Sequence, residues 1–144
     1  MEKSEKEQAL VYIDDIYKKK LDKIAEKYKD DSEHYINRLE AKYVYILAIL
    51  LAIKNSRKPQ KSKKKTWIIR TEYLKTEDRV ILQSLLFSLK KDIKILLPDN
   101  SSYFYNLCEE LANAGMDDVI EYLEDKRKIE NDILLEAGKI LPKE

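Results

Sequence analysis

From Leu10 to Tyr28, apolar side chains return at steps of three and four: Leu10, Ile13, Tyr17, Leu21, Ile24 and Tyr28. That rhythm lays one apolar stripe along a helix and leaves Lys and Asp on the opposite side. Ser4, with Glu7 three residues on, has capping-box spacing, so a first helix of roughly 25 residues is predicted from there. Asp30-Asp31-Ser32 ends it and supplies the cap of the next helix. A second stripe then runs through Ile36, Leu39, Tyr43, Ile46, Leu50 and Ile53.

Within that second helix, "YVYILAILLAI" (43–53) is apolar on every side. A membrane span needs about 20 such residues, and this run stops after 11, at Lys54. The expectation is a central helix covered by others and no membrane association. Two glycines and three prolines in 144 residues leave few positions for positive backbone angles. Gly-rich phosphate loops and tight-turned β-sandwiches are therefore disfavoured, and long helices fit.

Further along, Thr76 with Glu77 and Asp78 opens a helix whose buried face is Ile81, Leu82, Leu85, Leu86 and Leu89. "PDNSS" (98–102) reads as a turn. A helix from about Ser102 to Ala114 is stopped by Gly115. A last one runs from Asp117 to Ala137, with Val119, Leu123, Ile129 and Ile133 inward and Gly138 closing it. The predicted fold class is all-α: one domain, 1–144, a bundle of about five helices opening with a long antiparallel helical hairpin. A basic linker or arm at 54–66 interrupts it, broken by Pro59. The alternative is α+β with two short strands near 67–73 and 92–97. There Trp67, Ile69 and Thr71 alternate, as does "DIKILLP" before Pro98.

Catalytic constellations are missing from the pattern. His34 is the sole histidine, which leaves no multi-histidine metal site; Asp31-x-x-His34 is read as helix capping and surface exposure. Cys108, the sole cysteine, excludes an internal disulfide and sits in an apolar pattern beside Glu109 and Glu110, so it is read as a buried hydrophobe. The adjacent carboxylates Asp14-Asp15, Glu109-Glu110 and Asp117-Asp118 point about 100° apart on a helix and do not converge. Walker A, dinucleotide-binding and nucleophile-elbow patterns are absent. The expectation is a non-enzymatic protein with no cofactor, no metal and no small-molecule substrate. "MEKSEKEQ" lacks the apolar stretch of a signal peptide, and the setting expected is cytoplasmic.

Ten tyrosines are unusual. Tyr28, Tyr35 and Tyr43 fall on apolar stripes and are expected half-buried. Tyr103 and Tyr105 flank Phe104 at a helix start, where at least one ring should reach the surface.

The charge is uneven. Residues 54–71 hold eight Lys and Arg and no carboxylate, whereas residues 99–144 hold five basic and twelve acidic side chains. The net charge of +1 conceals two poles. The basic pole comprises Arg57, Lys58, Lys61, Lys63, Lys64, Lys65 and Arg70, with Trp67 available to stack. It suits a polyanion, and lysine-rich contact favours phosphate over base reading. The acidic pole comprises Glu109, Glu110, Asp117, Asp118, Glu121, Glu124 and Asp125, a face that would act as a nucleic-acid mimic. Alternatively, the basic segment is a solvated, flexible loop that these same acidic helices partly neutralise. With both poles free, the molecule could dock on a nucleic-acid-handling machine by charge complementarity.

High Lys and Glu with scarce Gln, Cys and Met is a composition of hyperthermophile proteins. By its Lys/Ile/Tyr bias, scarce Gly and Cys, two long opening helices and lysine arm at 57–65, the chain resembles small helical-bundle proteins of hyperthermophilic archaeal viruses. That resemblance implies a virion component, a DNA-binding protein or an inhibitor seated in the DNA channel of the host RNA polymerase, acting in the host cytoplasm. The inhibitor is the leading expectation because it uses both poles. A sequence-independent nucleic-acid-binding protein is the alternative.

Overall fold

The structure, a computed structural model, describes residues 9–96 and 101–124. The chain enters as strand β1 (Leu10–Asp14) and turns directly into helix α1 (Asp15–Lys27). A one-turn helix α2 (Tyr35–Arg38) precedes α3 (Ala41–Lys54). Strand β2 (Lys65–Arg70) and a 3-10 turn (Thr71–Tyr73) lead to α4 (Thr76–Lys90). A second 3-10 turn (Ile93–Leu96) and the long α5 (Ser101–Glu124) follow. The described chain is mostly helical, with five helices and one two-stranded antiparallel sheet.

The sheet corrects the all-α expectation and agrees with the α+β alternative in its first strand but not in its second. β2 falls near the first of those segments, but it pairs with β1, and residues 93–96 form the 3-10 turn. Leu10 and Ile13 thus belong to a strand, not to the opening helix. Their spacing of three mimics a helical stripe, but Val11 and Ile13 are both buried and Leu10 and Tyr12 only partly so, a period of two. Asp14 ends the strand and caps α1, its carboxylate accepting the Ile16 N–H. The Ser4–Glu7 spacing lies outside the described residues.

The second predicted helix is also broken. Leu39 and Glu40 are extended, and His34 rather than the Asp30–Ser32 cluster caps α2, its Nδ1 accepting the Ile36 N–H at 3.1 Å. The predicted second stripe lies on the less covered side of α3: Val44, Tyr45, Ala48, Ile49, Leu51 and Ala52 are buried, while Tyr43 and Leu50 stay nearly half exposed. A helix apolar all round has no period from which to read its inner face. Ala48 and Ala52 decide it, because small side chains let α5 approach closely.

Gly115 is the partner in that approach. It is mid-helix, not a stop, and α5 runs through it with Cys108, Ala112, Met116, Val119 and Leu123 all buried. A Cβ at Gly115 would overlap the Ala48 carbonyl oxygen and come within 3.0 Å of the Ala52 nitrogen. The two helices of the predicted pair at 102–114 and 117–137 are therefore one helix as far as Glu124; Ile129, Ile133 and Gly138 lie outside the described residues.

On α4 only Leu82 and Leu86 of the expected face are fully buried. Leu85 is half-buried, and Ile81 and Leu89 are exposed. The aromatic residues divide similarly. Tyr28 and Tyr35 pack partly buried as expected, Phe104 and Tyr105 are buried, and the Tyr103 hydroxyl donates to Asp92 at 2.9 Å. Cys108 is buried, which pushes its thiol well above the ordinary value and leaves it an unreactive core group.

Candidate nucleic-acid interface

The basic segment begins where α3 ends. Ser56 has a left-handed backbone (φ 54°); its N–H donates to the Ile53 carbonyl and the Arg57 N–H to the Ala52 carbonyl. Those two bonds form a Schellman close with serine where glycine is usual. Residues 57–64 then lie along α5 rather than projecting into solvent. The Gln60 N–H donates to the Glu110 carbonyl at 2.9 Å, and Gln60 Nε2 donates to the Tyr17 hydroxyl at 2.8 Å.

One buried residue organises this contact. Asn113 on α5 accepts the Asp14 N–H through Oδ1 (2.8 Å) and donates through Nδ2 to the Gln60 carbonyl and the Ser62 hydroxyl (2.9 Å each). Ser62 Oγ in turn donates to Glu109 Oε2 at 2.6 Å, and the Lys63 N–H donates to Asp14 Oδ2 at 2.9 Å. Asp14, Glu109 and Asn113 are all buried, and the network satisfies them. The segment is a pinned strap, not an arm.

Two of the strap's cations and several of the predicted acidic residues are used in this attachment. Arg57 makes a two-point pair with Asp118 (Nε 3.1 Å, Nη2 2.9 Å), joined by Asn55. Lys65 reaches Glu109 at 3.3 Å, and Lys20 reaches Asp117 at 3.5 Å. Glu110 is half-buried, Glu121 and Glu124 are exposed, and Asp125 lies outside the described residues. The acidic face is thus partly neutralised from within, as the solvated-loop alternative anticipated. Lys58, Lys61, Lys63 and Lys64 differ: all four are exposed and make no ion pair among the described residues.

β2 continues the surface. Residues pair Val11↔Ile69 and then Tyr12↔Trp67, so Ile68 is the extra residue of a β-bulge. Ile68 and Ile69 are consequently both buried, and the strand's outward phase shifts by one. Lys65, Trp67 and Arg70 are all exposed as a result, with Trp67 set opposite Tyr12. A groove of about 760 Å³ opens between β2 and the start of α3; Glu40, Lys42, Trp67, Arg70, Tyr73 and Lys75 line it. A smaller one, about 370 Å³, shares Trp67 and Arg70 and includes Glu72.

Lys42 in the groove wall is held at 3.0 Å by Asp78, both nearly buried. Burial alone would raise the Asp78 pKa, but the Lys75 N–H and the Lys42 ammonium hold it below the usual carboxylate range. The Asp78 hydrogen bond raises Lys42 in turn.

The structure thus brings Lys58, Lys61, Lys63, Lys64, Trp67 and Arg70 onto one continuous stretch of strap and strand. It pairs Arg57 and Lys65 with carboxylates of α5 while both side chains stay about half exposed. Sequence reading missed Tyr73 and Lys75, which join the surface only through the turn after β2. Asp31 and His34 form no metal site. Asp31 accepts the Glu33 N–H, and His34, read as surface exposed, is buried and stacked on Tyr28 with ring centroids 3.8 Å apart. Among the described residues no cluster of three or more His, Cys, Asp or Glu could hold a metal, and no helix is long and apolar enough to cross a membrane. No protein family, curated protein or solved structure matches this chain.

Proposed function

We propose that this chain is a non-enzymatic protein that binds nucleic acid through its phosphates, independently of sequence. The observation that carries the reading is the strap: four exposed lysines, Lys58, Lys61, Lys63 and Lys64, held on fixed backbone with no ion pair among the described residues. Fixing the backbone in advance lowers the ordering cost of binding. Lysine, a compact point charge, suits phosphate contact rather than base recognition. The sole cysteine and sole histidine are both buried, as packing and capping groups.

The polymerase-inhibitor expectation drew on two free poles. With Glu109 and Asp118 holding the strap, the acidic half of that argument weakens, and the basic half is shared with the nucleic-acid reading. Docking on transcription machinery is therefore kept as the rival outcome of the test, and the viral resemblance supplies no separate support.

The test is fluorescence anisotropy with a labelled oligonucleotide at two salt concentrations. Four phosphate contacts on duplex give a logarithmic salt slope of about −3.6, so a fourfold rise in salt should weaken binding on the order of a hundredfold. Reversing the four lysines to glutamate should abolish it. Absence of binding at low salt, with affinity purification returning a polymerase instead, would replace this reading with the inhibitor.

A further inference from the structure

Resting on that reading, we infer that the nucleic acid held here is single-stranded, with an unpaired base stacked on Trp67 and its backbone running from the strap lysines toward Lys75. A lysine strap alone would take either form. The strand after it does not fit a duplex so readily, because it presents a half-exposed tryptophan. In a duplex the bases are already stacked on one another, and their faces are closed to a side chain; only an unpaired base can offer one.

Three features converge on Trp67. It is 50% exposed on a strand, a position where so large an apolar side chain usually turns inward. It stands between two concavities, so a base lying on it has room on either side for its neighbours. The bulge at Ile68 brings Arg70 to the exposed side with it, and both line both concavities. Without the bulge, strict alternation would send Arg70 to the opposite face from Trp67.

Charge favours the larger groove for the strand's path. Beyond Lys42, which Asp78 neutralises, its charged lining is Arg70 and Lys75 against Glu40, and Tyr73, 56% exposed, offers a second ring. The smaller concavity sets Arg70 against Glu72 at 3.6 Å, a solvent-exposed pair that holds the guanidinium only weakly. Lys63 and Lys64 are exposed and immediately precede β2, so phosphate contacts and the stacked base would be neighbours along the chain. Tyr12, opposite Trp67 and with Lys65 Nζ 5.8 Å from its ring centre, backs the tryptophan from the neighbouring strand.

Trp67 is the chain's sole tryptophan, so its fluorescence reports this contact directly. The experiment titrates the full chain with oligothymidine of about 15 nucleotides, and separately with the duplex it forms with oligoadenosine. Anisotropy of the labelled strands is followed in parallel at one low salt concentration. The single strand should quench the tryptophan saturably and bind at least several-fold more tightly than the duplex. Trp67→Ala should weaken single-strand binding about tenfold and duplex binding far less, and Trp67→Phe should recover most of the loss. Circular dichroism confirms that each variant is folded. Equal or tighter duplex binding, with single-strand affinity unaffected by Trp67→Ala, overturns this inference and leaves the phosphate-binding reading standing. Failure of both nucleic acids to bind removes both.

Discussion

Asn113 and Asp14 stand 99 residues apart in the chain and are joined by a buried 2.8 Å hydrogen bond from the Asp14 N–H to Asn113 Oδ1. Because the same amide also holds Gln60 and Ser62, one side chain ties β1, the strap and α5 together. Asn113→Ala would leave three partners unbonded. At about 1 kcal/mol for each lost bond, a loss of about 3 kcal/mol is expected, read as a lower denaturation midpoint. The strap should also become a faster trypsin substrate at Lys61 to Lys65 than in the parent protein, since local opening exposes it. An unchanged cleavage rate would show that the strap is held by something other than this amide.

The approach of α3 to α5 gives a prediction that opposes helix propensity. Alanine is favoured over glycine mid-helix by about 1 kcal/mol, so Gly115→Ala would be stabilising on an open surface. Here the added methyl meets the Ala48 carbonyl, a backbone atom that cannot rotate away. Overpacking costs typically about 1–3 kcal/mol and more against rigid backbone. The expected result is net destabilisation of about 2 kcal/mol, seen as a Tm lowered by several degrees. A raised Tm would mean that the helices sit further apart.

Ser56 offers the reverse case. Its φ of 54° places a side chain in the left-handed region, where glycine carries no Cβ penalty. Ser56→Gly is expected to stabilise by about 0.5–1 kcal/mol after the glycine's greater unfolded-state entropy is set against the relieved strain. The strap stays fixed by Asn113, so nucleic-acid affinity should not change. Thermal melts and the anisotropy assay check both halves.

Asp78 sets an acid limb. Its folded pKa lies below the ordinary 3.8, so between the two values the native state binds fewer protons than the unfolded chain. Its contribution is present in full above the unfolded pKa and is lost as pH falls through the folded one. Asp15, lowered by its Thr66 hydrogen bond and Lys19, and Asp92, lowered by the Lys94 N–H and Tyr103, act in the same sense. Asp78→Asn should reduce stability at about pH 6 and shrink the further loss between about pH 6 and about pH 3. Parallel acid titrations of the two proteins measure the difference; identical limbs would show that the Lys42–Asp78 contact does not form in solution.

Features with a local cause could be read directly from the chain. The stripe Tyr17, Leu21, Ile24 is buried on α1, α4 starts at Thr76, and Cys108 lies in the core, each as its neighbours dictate. The basic stretch was equally legible, because charge is read residue by residue.

Tertiary structure decided what depends on distance across the chain. Leu10 and Ile13 fit a helical period until Arg70 and Thr66, more than fifty residues on, pair with them as a strand. Gly115 reads as a helix stop unless Ala48 is known to lie against it. Whether the cations of residues 54–71 face solvent or their own carboxylates follows from how the strap is pinned to α5, by Asn113, by the Gln60 contacts and by the Arg57–Asp118 pair. Propensity and periodicity act over a turn or two of chain, whereas pairing, close approach and neutralisation act through space, and only the folded core brings those partners together.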